Sequence, residues 1–430
     1  MVAPMAGDSH SSADFGGELS NEWIGKRVWF LEQIPNSLPW GDDSLLEEVP
    51  ESARGCFGLK VGEYTTIDDQ RYQPGNFITV DDYGSLVNLL SRVKKVSGIF
   101  VPQYDRLIPT SLWRPHHQTI DLSVYRQGVR NRFVRSLMLT VGLLTFGFLK
   151  PEFLMMAIIG VAMFGLFPLV ESSMAWFRRV DQFSIDELNK RLVRNEFFRL
   201  WVMRQPTGML KVAVGILGLI FVGQMVFDAQ NPVSGPRIPD SIMRAALVPQ
   251  AVEENGEWWR IVTTGLMHGS IPHILFNGMA LYSLGRVIVA LVSPSLLNIV
   301  FLATVITGSL ASLWLGQAPA SVGASGGILG CLGFLMVVTQ KFKNELPGYL
   351  RANLIQSCIV ISIFGLLGSQ FIDNAAHAGG FIGGLVLGQI FYPFLQLVPG
   401  ETRPLIRGLS VVSLAILAGG IVKIAWEFWG

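Results

Sequence analysis

Charge is what this 430-residue sequence has least of: Asp, Glu, Lys and Arg make up 15% of it, against 50% hydrophobic residues. A soluble domain carries roughly 25% charge, which argues against a chain that is soluble throughout. The two signs nearly cancel, to a formal net charge of +1, so no overall field points to nucleic acid. Cysteine is scarce as well. Cys56, Cys331 and Cys358 lie far apart, two of them in apolar blocks, so no disulfide framework or zinc-type spacing is visible. The opening residues, MVAPMAGDSHSSADFGG, lack a basic stretch followed by an apolar one. No cleavable signal peptide is expected there, and residues 1–19 read as disordered.

What the chain has in excess is apolar, and it is unevenly placed. Residues 20–130 mix apolar, charged and Gly/Pro residues and read as a small soluble α+β domain on the cytoplasmic side, regulatory or docking in role, with room for a regulatory partner. Segments 77–80 and 98–101 are strand-like, and 85–96 has the pattern of an amphipathic helix. His116 and His117 are adjacent and so point in different directions, which favours an exposed pair over a metal site.

From residue 136 the apolar blocks run 136–149, 153–170, 211–227, 271–291, 296–315, 325–340, 353–370, 376–396 and 407–427. A helical span needs about 20 residues, or roughly 17–25 with tilt. The first block is short and is joined to the second by Lys150-Pro151-Glu152 alone, which predicts a membrane hairpin over 136–170, with a re-entrant pair as the alternative. Residues 171–210 carry seven basic residues from Arg178 to Arg204 and read as a basic, amphipathic cytoplasmic linker. Residues 228–259 carry only Arg237 and Arg244, whereas Lys341, Lys343, Arg351, Arg403 and Arg407 fall in two later loops. All the basic loops share one side if the N-terminus is cytoplasmic. The 228–259 loop and the helix starts near Ser325 and Ala376 then face outward.

Polar groups at membrane depth are costly and mark function. Three clusters qualify. In HGSIPHILFNG, residues 268–278, Pro272 suits a first helical turn and His273 and Asn277 are four apart on one helix face. On this motif alone, tying helices together and catalysis are equally open. In SVGASGGILG, residues 321–330, Ser325 opens a helix after a polar loop, and its amide is one of the unpaired N–H groups of a helix start. Gly326 and Gly330 admit a close neighbour, although small residues line many membrane helices. In AAHAGGFIGGLVLG, residues 375–388, His377 is followed by Gly380, Gly384 and Gly388 on one stripe, which calls for a close partner helix. The Ser325 helix can supply it. The chemistry this assembles is acyl transfer. Ser325 would be the nucleophile and His377 its base, with His273, Asn277 and the Ser325 amide facing the oxyanion. Asp373 lies four residues before His377, where orienting the histidine competes with the better-suited task of capping a helix start.

These residues resemble the rhomboid family of intramembrane serine proteases, over roughly residues 211–396. EWWRIVTTGLMHG supplies the Trp259-Arg260 element, followed by His268, His273 and Asn277, then GASGG from Gly323 to Gly327, then His377, Gly380 and Gly384, in the family's order. The resemblance implies an all-α polytopic membrane protein. It would have a six-helix core, a further C-terminal helix at 407–427, the N-terminal hairpin, and the small α+β domain ahead of them. It implies a Ser325–His377 dyad without a third acid, with His273 and Asn277 as oxyanion donors. His268, Gly323, Gly326, Gly380 and Gly384 would give nearby support. It implies no metal or cofactor, and substrates that are membrane-spanning proteins cleaved in or beside a span. Position 329 is Leu, where many members carry an aromatic against the histidine. A proteolytically silent relative that binds membrane clients is the competing reading, and such proteins typically lack the serine or histidine present here. A small-molecule transporter would show inverted repeats and polar residues near the midplane, a pattern this sequence lacks. The absence of a transit-like N-terminus favours a bacterial plasma membrane, with the site toward its outer side.

Overall fold

A computed structural model of the chain describes residues 45–102, 104–110, 122–150, 153, 157–158, 160–177, 185–232, 238–316, 318–369, 372–397 and 403–430. Residues 1–19 and the His116-His117 pair lie outside the described residues. The chain divides into two compact units, Met1–Arg130 with Trp176–Met203, and Asn131–Ala175 with Arg204–Gly430.

The first unit is built on strands β1 (Phe57–Val61), β2 (Thr65–Ile67), β3 (Gln70–Tyr72), β4 (Phe77–Val80), β5 (Val96–Val101) and β6 (Tyr104–Ile108), with helix α1 (Tyr83–Arg92) between β4 and β5. Four strands form an antiparallel sheet in the order β4-β1-β5-β6, and β2 and β3 form a separate hairpin. That hairpin turns on Asp68 and Asp69, both at positive φ, the conformation a two-residue turn between twisted strands demands. Leu59 and Val61 alternate onto one sheet face and pack with Ile67, Leu89 and Val93. Phe100 and Leu107 pack with Val49 and Ala53 in a second cluster. Burying each Leu or Val in these clusters contributes about 1.5–3 kcal/mol. Asp82 caps α1 by accepting the Ser85 N–H at 2.9 Å. The expected helix over 85–96 is shorter at its far end: Val93 is already extended, and Val96 enters β5 because its neighbours complete the sheet. Tertiary pairing overrides the helical pattern there.

Helix α2 (Leu122–Leu149), part of the second unit from Asn131 on, begins well before the apolar block at 136, and its stretch Gln127–Leu149 is long and apolar enough to cross a membrane. A π-helical segment, Val161–Leu166, runs into α3 (Phe167–Phe177). Gly160 faces Leu143 and Gly165 faces Thr140, so the two helical segments run antiparallel, as a hairpin requires. Val161, Leu166 and Val170 pack with Leu143, Leu144 and Val360. Helix α4 (Ile185–Arg204), which belongs to the first unit up to Met203, occupies most of the basic segment.

The remaining elements are α5 (Gly208–Gln230), three short helices α6 (Asp240–Ala245), α7 (Pro249–Asn255) and α8 (Arg260–Thr263), then α9 (Ile271–Leu291), α10 (Pro294–Leu315), α11 (Ser325–Lys341), α12 (Gly348–Leu367), α13 (Asn374–Phe391) and α14 (Pro404–Trp429). Among the described residues seven helices are long and apolar enough to cross a membrane: α2, α5, α9, α10, α12, α13 with the turn after it, and α14. The protein is an integral, multi-pass membrane protein. Three of these helices start at a side chain that closes the first turn, Ser270 for α9, Ser293 for α10 and Asp373 for α13, each accepting a backbone N–H three residues on.

Helix α11 differs from the others. It has 17 residues, most of them buried against its neighbours. At about 1.5 Å per residue it is some 26 Å long, against a hydrocarbon core of about 30 Å. A helix whose Lys341 end reaches one interface therefore starts, at Ser325, below the other.

Candidate active site

Three glycine contacts bring α11, α13 and α10 together. A methyl group on Gly380 would overlap the Gly326 carbonyl, and one on Gly384 would overlap the Gly330 carbonyl. On α10, a methyl on Gly308 would sit 2.8 Å from the Ala376 carbonyl and 3.4 Å from the Gly326 Cα. Backbones that close can be reached only by residues without a side chain. Gly388, the last of the stripe, meets the Val337 side chain instead of backbone. A second pair on α13, Gly379 and Gly383, turns to α10, where the Thr307 hydroxyl donates to the Gly379 carbonyl at 3.1 Å.

The consequence sits at the top of these helices. His377 Nε2 lies 2.8 Å from Ser325 Oγ, within the range in which a hydroxyl proton passes to a base. Ser325 is the first residue of α11, and Ala324 before it offers no side-chain cap. The amides of that first turn have no partner inside the helix. Asp373 is engaged elsewhere: one of its oxygens accepts the Ala376 N–H at 2.9 Å and the other accepts the Ser312 hydroxyl. It caps α13 and ties it to α10.

On the other side of the serine, Gly323 stands at φ +126°, a conformation that favours glycine. Its N–H donates to the Thr264 carbonyl at 2.9 Å. A side chain here would meet the His273 ring at 2.7 Å and the Asn277 Nδ2 at 3.4 Å. The backbone before Ser325 therefore passes directly over the two residues that the spacing in α9 places on one face. Asn277 is 7% exposed, and its Nδ2 has no hydrogen-bond partner among the described residues. A buried amide without a partner is costly to keep, and here it points at the face that Gly323 covers. His268 is 1% exposed, packs edge-on against His273 with ring centroids 5.2 Å apart, and has neither ring nitrogen paired among the described residues.

Several supports were not visible in the sequence. Ser321 and Leu247 exchange backbone hydrogen bonds in both directions, and the Thr264 hydroxyl donates to the Ser321 carbonyl at 2.6 Å. Arg260, buried, donates to the Met243 and Ala246 carbonyls and to Glu257, and the Thr263 hydroxyl donates to the Ala245 carbonyl. Residues 243–264, between α5 and α9, thus form a built structure that holds residues 321–323 in place. The Trp259-Arg260 element signalled it, but the threonines beside it carried no signal of their own. Among the described residues, no group of three or more His, Cys, Asp or Glu side chains could hold a metal ion.

Residues 255–394 match the rhomboid domain family. That segment is a rhomboid domain. The matched segment contains every site residue from His268 to Gly384, and it is narrower than the 211–396 resemblance read from the motifs. The chain is 40% identical over 129 residues to rhomboid protease GluP of Bacillus subtilis (strain 168), an alignment covering 30% of this chain and 25% of that protein. It is 29% identical over 206 residues to RHOMBOID-like protein 9, chloroplastic, of Arabidopsis thaliana, covering 44% of this chain and 45% of that protein. A third relative, Inactive RHOMBOID-like protein 8 of the same plant, is 28% identical over 230 residues, 48% of this chain and 66% of that protein. The chain thus spans a quarter to under a half of the length of the first two rhomboid relatives. The family holds both a named protease and a named inactive protein, and both a bacterium and a plant. Membership alone therefore decides neither activity nor the expected bacterial plasma membrane.

Proposed function

We propose that this rhomboid-family protein is an intramembrane serine endopeptidase that cleaves membrane-spanning proteins in or beside a span. The observation that carries the reading is the 2.8 Å approach of His377 Nε2 to Ser325 Oγ at the start of a helix too short to reach both membrane faces. In this reading His377 takes the hydroxyl proton as Oγ attacks the scissile carbonyl carbon. The oxygen of that carbonyl becomes an oxyanion, faced by the Asn277 amide, the His273 ring and the Ser325 N–H. The imidazolium then protonates the leaving amine, the C–N bond breaks, and an acyl-serine remains. Water, deprotonated by the same imidazole, releases the acid and regenerates the serine.

Substrate class follows from location: a chain reaching Ser325 must expose its backbone below the membrane surface, which a span that unwinds easily can do. The clustering of Lys and Arg in the 171–210, 341–351 and 403–407 segments supports an N-terminus on the cytoplasmic side and a site toward the outer one. The sheet unit then faces the cytoplasm, where it would meet a regulatory partner.

The test is labelling of the detergent-solubilised full chain with a fluorescent serine-directed phosphonate, beside Ser325→Ala and His377→Ala. The wild type alone should label. A folded wild type that does not label would favour a client-binding, proteolytically silent protein, in keeping with the relative named inactive.

A further inference from the structure

We propose that Gln224 is a positioning residue for the oxyanion side of this site, a role that rests on the protease reading above. Gln224 lies in α5, where it is the first polar side chain after Lys211, and it is 2% exposed. It makes a two-point contact with one distant residue. Its Oε1 accepts the His268 N–H at 3.0 Å, and its Nε2 donates to the His268 carbonyl at 3.1 Å. A single bond would let the partner swivel; two bonds to the N–H and C=O of one residue fix its depth and its direction, as in a strand ladder.

The anchored residue sits where the site needs it. His268 follows the turn at Thr264–Leu266, whose Thr264 carbonyl holds Gly323, and precedes the Ser270 cap of α9. Its ring packs on His273. Lower down, α5 and α9 meet mainly through apolar groups and glycines, Gly278 facing Val214 and Gly285 facing Leu210, and the polar contact at the far end is a long one, the Tyr282 hydroxyl donating to that of Thr207 at 3.4 Å. Such a seam resists separation but offers little resistance to sliding. The Gln224 contact sets the axial register of α9 against α5, and with it the height of His273 and Asn277 relative to Gly323 and Ser325. An apolar residue at 224 would leave the His268 N–H and C=O without these partners in a buried position, and the segment would shift to find others.

The experiment uses the full-length protein and Gln224→Met, which keeps the length and removes both polar groups. Two quantities are read with the phosphonate: the fraction of protein labelled at the endpoint, and the rate per labelled site. These are joined by kcat and KM for a membrane-spanning peptide. A positioning role predicts the wild-type endpoint, a rate and a kcat lower by about tenfold or more, and an unchanged KM. A variant with a smaller endpoint but the wild-type rate per labelled site shows a role in folding alone and overturns the proposal. Should Gln224→Met not fold, Gln224→Asn, with the same groups one methylene short, carries the same comparison. Absence of labelling in the wild type removes the protease reading and this role with it. A labelled wild type beside an unaffected Gln224→Met removes only the role.

Discussion

Asn277 and Gly323 show how much of this site depends on single atoms. The Asn277 Nδ2 is buried and has no hydrogen-bond partner among the described residues, so in the protease reading it is available to a charge that appears only during reaction. Asn277→Ala should lower kcat by about 10²–10³, the range for one oxyanion donor, while the thermal midpoint stays close to that of the wild type; measuring both on one preparation separates the two effects. Gly323→Ala should do the opposite of a clean lesion. It places a Cβ at positive φ, a strain of about 1–3 kcal/mol, and drives it into the His273 ring. Both stability and turnover should fall, and a variant as stable as the wild type would show that the Gly323 backbone does not lie where the contacts place it. Ser325 and His377 could be read from the sequence because a hydroxyl and an imidazole in apolar blocks have few structural excuses. Thr264, Leu247 and Gln224 could not. They act through backbone groups 44 to 74 positions away in the chain, and no periodicity encodes such a pairing.

At the scale of the element, the contact between α11 and α13 decides whether Ser325 and His377 meet. Two of the three glycines in the stripe meet backbone, which cannot move aside, and the third meets the Val337 side chain, which can. Gly380→Val and Gly384→Val should each cost at least the ~1–3 kcal/mol of an overpacked core and should widen the Ser325–His377 gap enough to abolish phosphonate labelling. Gly388→Ala should cost less and leave labelling intact. Thermal unfolding in detergent with labelling alongside tests the ranking; equal losses at all three positions would mean that the stripe acts through helix propensity instead of approach. The stripe itself was legible because spacings of 3, 7 and 11 residues share a helix face. Where the helices end was less so. Residues ahead of 136 are polar enough to mask the start of α2 at Leu122, and α1 stops at Arg92 because a strand partner claims the residues that follow. The short helices α6 to α8 carry too few residues to leave a period at all.

For the whole molecule, the question is what the sheet unit does for the membrane unit. Two strand-like segments in the sequence pointed to a sheet here, but its order, with β1 between β4 and β5, depends on pairings made across a helix and could not be read in advance. That sheet has its own two apolar clusters, formed by residues 49–107 with their own neighbours. Among the described residues, the contacts that shape the candidate site join residues within 204–430: Gln224 to His268, Thr264 to Gly323 and Ser321, Leu247 to Ser321, Gly308 to Gly326, and His377 to Ser325. A site assembled in this way should survive loss of the sheet. Deleting residues 1–110, which leaves α2 whole, is therefore expected to give a protein that labels with phosphonate to the same endpoint as the full chain. Its rate then reads the role of the sheet unit: a faster rate identifies it as a restraint on the serine, and an equal rate assigns it to docking a partner. A folded truncation that no longer labels would mean that the geometry at Ser325 depends on the sheet unit, and the account of the site as self-contained within 204–430 would fall.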